Sequence, residues 1–261
     1  MYCVDFIFYV EPLVMEVDAG YAHLQKLIEA LKPALPDVAW YITPSNEKES
    51  KQVWPDFVDK EAFYARVKHD INQTIKEYPT HPYPHAFTVS LTSAKNEAIW
   101  SSQPEGRCTL NFSPQLNIDP CGGRIQLGII SPNKAWPNKD LMKWGVDILS
   151  AIVLLEDIKF ANVDVEMKSQ KTESYQFDFR TFPHHQFLGW MGFVPKVLTP
   201  QDIPEAAEVI PLPERHGSIV VAVGDTFDLR NPKHIKQAQQ VEMRLVDLDA
   251  LPVIDPDFQS P

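Results

Sequence analysis

Phe87-Thr88-Val89-Ser90-Leu91, Cys108-Thr109-Leu110-Asn111-Phe112 and Ile125-Gln126-Leu127-Gly128-Ile129-Ile130 follow one another with no helical pattern between them. Each run reads as a short strand of a half-buried sheet. Successive strands without a crossover helix pair antiparallel, because a parallel pair needs a dozen or more residues, usually a helix, to bring the chain back. The expected fold class is therefore α+β with a largely antiparallel sheet, rather than a doubly wound one.

Outward from this block, further strand-like runs lie at Val4 to Val10, Val38 to Ile42, Phe160 to Lys168, Tyr175 to Phe179 and Ile219 to Val223. Four main helices alternate with them. The first takes Asp18 as its cap, carries Tyr21, Leu24, Ile28 and Leu31 at helical spacing, and stops at Pro33. A second follows Asp59 with Phe63, Val67, Ile71 and Ile75 four apart. The third opens at Asn138 and presents the widest apolar stripe, from Leu141 to Leu155, which marks it as the central helix. In the fourth, Asn231 caps and Pro232 occupies the first helical position, where its missing N–H costs nothing. Prolines cluster at 79–84, 132–137, 195–213 and 252–261, which reads as loops and a tail. A sub-boundary is placed near 131–138, but no Gly/Ser linker, repeat or low-complexity block marks it, so residues 1–261 are taken as one compact unit with two halves.

Composition narrows the function classes. With 44% apolar and 23% charged residues over 261 positions, the chain is globular and long enough to fold without a metal or disulfide. Three cysteines, Cys3, Cys108 and Cys121, lack C-x-x-C spacing, so a reducing compartment, the cytoplasm, is expected. The start, Met1 to Glu11, has no basic leader, and no apolar run reaches the ~18 residues of a membrane span. A net charge of −11 argues against direct nucleic-acid binding, which draws its affinity from clustered Lys and Arg, and favours a basic protein surface as partner.

Candidate chemistry is sparse. Asp164, Glu166 and Lys168 have the spacing at which a nuclease could hold Mg²⁺ and position a water. The same run alternates with Ala161, Val163, Val165 and Met167, and is read as a half-buried strand with its charged side in solvent. His81, His85 and the pair His184-His185 lack a third ligand at metal spacing and are read as loop histidines, so no metal or other cofactor is expected. Gly224-Asp225-Thr226-Phe227-Asp228 sits between a strand and a helix, where phosphate loops occur, but its two aspartates would repel phosphate. Nucleophile elbow, Walker loop, dinucleotide fingerprint and H-E-x-x-H are all missing, so an enzyme is not expected.

The last third carries Phe187-Leu188-Gly189-Trp190-Met191-Gly192-Phe193-Val194-Pro195, then Gly217-Ser218-Ile219-Val220-Val221, Phe227-Asp228-Leu229-Arg230-Asn231-Pro232-Lys233-His234 and Val241-Glu242-Met243-Arg244-Leu245. In order and spacing these pieces resemble the immunity protein 52 family, antidotes encoded beside bacterial nuclease toxins, with a TsiT-type protein of type VI secretion among them. The resemblance implies a cytoplasmic α+β protein that binds a toxin of restriction-endonuclease-like fold and blocks DNA cleavage without turnover. It supplies no catalytic residue. Loops beside regular elements commonly carry recognition, which selects Asp225, Phe227 and Asp228, His184 and His185, and Glu156 and Asp157 as the expected partner contacts. Two rival readings are a metal-dependent nuclease built on Asp164, Glu166 and Lys168, and a scaffold component of the secretion machine.

Overall fold

The computed structural model describes residues 1–13, 15–80, 88–114, 123–169 and 171–255. His81, His85, Cys121 and the end of the proline-rich tail lie outside them. In chain order the elements are β1 (Tyr2–Val10), α1 (Val17–Leu31), β2 (Tyr41–Ile42), α2 (Glu47–Ser50), α3 (Lys60–Glu77), β3 (Val89–Thr92), α4 (Glu97–Ser102), β4 (Cys108–Ser113), β5 (Gly123–Ile130) and α5 (Pro132–Ala135). They continue with α6 (Leu141–Leu155), β6 (Ile158–Lys168), β7 (Thr172–Ser174), β8 (Met191–Val194), β9 (Glu208–Leu212), β10 (Gly217–Val221) and α7 (Pro232–Asp247). The protein is α+β. Among the described residues ten strands make one sheet in the order β2, β3, β4, β5, β1, β6, β8, β10, β9, with β7 attached to β6.

Every strand pair is antiparallel. The first strand is central: Phe6 lies opposite Leu127 on β5 and Val163 on β6. Its even-numbered residues Val4, Phe6 and Phe8 are fully buried against the helices, with the Phe6 ring edge-on to Trp144 of α6 at 5.9 Å. Helix α6 buries Leu141, Trp144, Ile148, Leu149, Ile152 and Val153, each contributing roughly 1.5–3 kcal/mol by removal from water. Helix α1 packs beside it, and Tyr21 of α1 joins Phe57 and Phe63 in an aromatic cluster at 5.1 and 5.0 Å that docks α3.

Several local expectations change. Helix α1 begins one residue before Asp18 with Glu16 at the cap position, and Asp18 is instead exposed and bonded to Tyr64 and Lys60. Asp140, not Asn138, caps α6, its Oδ1 accepting from Lys143 N at 3.0 Å. The block from Val89 to Ile130 does contain a helix, α4, which Asn96 starts by accepting from Ile99 N, but six residues are too few for a crossover and β3 and β4 stay antiparallel. Strand β9 lies within the proline-rich 195–213 stretch, where Pro211 is tolerated because β9 is an edge strand. Tyr175–Phe179 is a single π-helical turn rather than a strand.

The late motif pieces converge in space. Residues 188–190 run beside Val163, with Val163 N donating to Leu188 O at 3.2 Å and Trp190 N donating to Val163 O at 3.0 Å. The Trp190 indole N–H donates to Val223 O at 2.9 Å, joining β8 to the end of β10. Glu242 of α7 accepts from Leu188 N at 3.0 Å, Gly189 N at 3.4 Å, Thr181 N at 3.1 Å and Thr181 Oγ1 at 2.9 Å. These residues hold α7 and the 175–190 segment over the face of β6 opposite the α6 layer.

Candidate partner-binding surface

On that second face β1 presents Asp5, Ile7 and Tyr9, and β6 presents Asn162, Asp164 and Glu166, with Asp5 directly across from Asp164. The expectation that the charged side of β6 is solvated fails here. Asn162 is fully buried and Asp164 is 4% exposed, because the 175–190 segment folds over them. Asp164 Oδ1 accepts from Val165 N at 2.8 Å and from Gln176 N at 3.2 Å. The carboxylate of the supposed nuclease trio is thus spent on backbone donors, and Lys168 is ion-paired to Glu166 at 3.3 Å. Among the described residues no three His, Cys, Asp or Glu side chains gather as a metal site.

Burial pushes the Asp164 carboxyl up to about 7, against the pull of its two N–H donors, and Asp5 up to about 6, with Glu166 adding repulsion. A carboxyl that titrates higher folded than unfolded makes the native state bind the extra proton. Its penalty is nil below about pH 4 and grows as pH rises toward 7. Asp164→Asn keeps an acceptor for both N–H groups and removes the charge. It is expected to match the parent protein at pH 4 and exceed it by about 2 kcal/mol at pH 8.5, with parallel urea-unfolding curves at the two pH values counting against the assignment.

The Asp164 contact has an outward consequence. Gln176 belongs to the π-helical turn that follows β7, and the turn is pinned along its length. Ser174 Oγ accepts from Phe177 N at 3.2 Å, Asp178 Oδ2 accepts from Ser174 N at 3.0 Å, and Arg180 N donates to Tyr175 O at 2.9 Å. Tyr175 is buried as an anchor, 5.6 Å from the Phe227 ring and 6.2 Å from Phe187. Helix α7 holds the far end, Gln239 Nε2 donating to Phe179 O at 2.8 Å. With Tyr175 turned in, Phe177 is turned out and is 81% exposed. Asp178 stands beside it, paired with Lys171 at 3.2 Å. The result is a rigidly presented aromatic side chain beside Asp178, an arrangement suited to anchoring a partner by apolar burial. Strand-like alternation in Tyr175-Gln176-Phe177-Asp178-Phe179 hid this turn. The available signal was Ser174 and Asp178 four residues apart, which can close a turn on themselves.

The residues selected from sequence do not come together. Asp225 is exposed, whereas Asp228 accepts from Arg230 N at 2.9 Å and donates its own N–H to His234 Nδ1 at 3.1 Å, closing the loop before α7. Phe227 is fully buried between Tyr175 and His234, so its side chain holds the loop from inside. His184 and His185 are half-buried, their rings 4.5 Å apart, with His185 Nδ1 3.1 Å from Leu251 O. Glu156 pairs with His23 at 3.1 Å, and His23 stacks on Phe112 at 5.0 Å. Asp157 is exposed and shares a small apolar pocket with Val10 and Met15. Burial and, after it, the Asp228 carboxylate push the Tyr2 phenol pKa up, so Asp228 stands toward the start of β1, whereas Asp157 shares its pocket with Val10 at the other end. Among the described residues no helix is long and apolar enough to cross a membrane.

No family model and no curated protein matches the chain. Among solved structures it is similar to the Pseudomonas aeruginosa T6SS protein PA0821, with 10% sequence identity and a TM-score of 0.47 over 94% of this chain and 73% of that one.

Proposed function

We propose that the protein acts stoichiometrically, as a cytoplasmic antidote that binds and blocks a basic nuclease toxin of restriction-endonuclease-like fold. The reading joins the motif resemblance of the last third to the net charge of −11, which suits a partner whose DNA cleft is cationic. The single observation that carries it is Phe177, an aromatic side chain left 81% exposed by a turn that backbone and side-chain hydrogen bonds hold fixed. An exposed aromatic on a preorganised support loses little conformational entropy on binding, which is how a few residues come to dominate an interface.

In this reading the late motif residues are the support: Glu242, Gly189 and Trp190 build the layer from which the turn projects. Titration of the protein into the nuclease domain encoded beside it, followed by DNA cleavage and binding heat, is expected to show inhibition saturating at a fixed molar ratio. Phe177→Ala is expected to weaken binding by about 2 kcal/mol, roughly thirtyfold, with an unchanged melting temperature. Full nuclease activity in the presence of excess protein would remove the antidote reading. Inhibition that is indifferent to Phe177 would move the interface elsewhere.

A further inference from the structure

A second feature stands apart from this surface, at the opposite side of the sheet order. Where β3 ends and β2 and β4 begin, α4, α5 and the 35–39 loop line a cleft of about 550 Å³, within the range of small-molecule sites. Arg107, the residue before β4, lies in its wall. Its backbone is fixed by Arg107 N donating to Pro104 O at 3.1 Å and Ile130 N donating to Arg107 O at 3.0 Å. Gly106 makes this possible: it has φ +78°, and a Cβ there would meet Ala135 Cβ at 2.9 Å. The guanidinium lies 3.9 Å over the Trp100 ring and Nη1 donates to Trp100 O at 2.9 Å, while Nε is buried and has no partner.

Buried or half-buried cations are ordinarily paired with a carboxylate. Among the described residues Arg107 has none, in a chain with 35 acidic against 24 basic side chains. Of the other charges lining the cleft, Lys134 is neutralised by Glu105 at 3.3 Å, Lys95 has no acid partner among the described residues, and Asp37 is exposed. One positive charge is left in excess, and Tyr41 and Trp136, both half-buried, supply ring surface. Burial also lowers the Arg107 pKa, the cost that an anion would offset.

We propose that this cleft binds a phosphomonoester carrying a planar ring, a molecule of the nucleoside monophosphate class, with Arg107 and Lys95 on the phosphate and Tyr41 and Trp136 against the ring. A guanidinium donates readily to phosphate oxygens, and the two cations outweigh Asp37, leaving the cleft net positive.

The test is titration of the full chain with AMP, ribose 5-phosphate and adenosine, read by heat and by tryptophan fluorescence. Saturable one-site AMP binding is expected, with ribose 5-phosphate weaker for want of a ring and adenosine weaker for want of the phosphate. Arg107→Gln is expected to weaken AMP at least tenfold and Lys95→Gln about threefold. Should Arg107→Gln fail to fold, the exposed Lys95 variant decides alone. Absence of saturable AMP binding, or AMP affinity unchanged in whichever of these variants folds, would overturn the proposal.

Discussion

Glu242→Ala is expected to destabilise the protein by about 3–5 kcal/mol, the range for removing one partner from a buried charged network. Glu242 is 1% exposed and its two oxygens take four donors, from Thr181, Leu188 and Gly189. Alanine leaves three backbone N–H groups and a hydroxyl facing a methyl group, at positions that the fold keeps from water. Burial pushes the carboxyl pKa up while these donors hold it down, so the site is built around an acceptor rather than around a charge alone. Glu242→Gln is therefore expected to recover part of the loss. It keeps one oxygen for one pair of donors and turns an NH2 group toward the other. Urea unfolding that gives alanine and glutamine the same midpoint as the parent would show that the clamp contributes nothing. Glutamine worse than alanine would show that the amide's misdirected donors outweigh the lost acceptor.

Gly189→Ala is expected to be at least as damaging, with a loss of about 3–5 kcal/mol and a large drop in soluble yield. Gly189 has φ +71°, a region that costs a side chain roughly 1–2 kcal/mol before any contact is counted. A Cβ there would also lie 2.3 Å from Val163 O, a backbone atom of β6, the strand beside the central β1. Nothing flexible can move aside. Trp190 follows directly and is fully buried, so a shift of Gly189 disturbs the indole bond to Val223 O as well. A soluble variant with parental stability would mean that β6 and the 188–190 segment separate more readily than their hydrogen bonds imply. Together the two substitutions test whether the motif pieces near the end of the chain are structural, as their burial argues, while Phe177→Ala tests the contact they support.

The fold was legible wherever local pattern and tertiary role coincide. Alternation in Val89 to Thr92, Cys108 to Ser113 and Gly123 to Ile130 reports strands with one apolar face, and their closeness in sequence dictates antiparallel pairing. Asp59 and Asn231 bond to backbone N–H groups two or three residues on, a range that sequence spacing states directly. The apolar stripe from Leu141 to Val153 needed only its period of 3.6 to be placed against the sheet.

Other features depend on residues far apart in the chain. The polar face of β6 looked solvated because alternation says which side is polar and nothing about what lies above it; the 175–190 segment, held by Glu242 some 54 to 61 positions later, covers it. Burial at that site decided that Asp164 accepts from the backbone of a turn, and the turn in turn decided that Tyr175 goes inward and Phe177 outward. Sequence alone determined the fold class, the main helices and the acidity of the chain, because those follow from short-range periodicity and composition. Tertiary structure alone decided which polar groups are buried and which aromatic is left exposed, because both depend on contacts between segments that no local period relates.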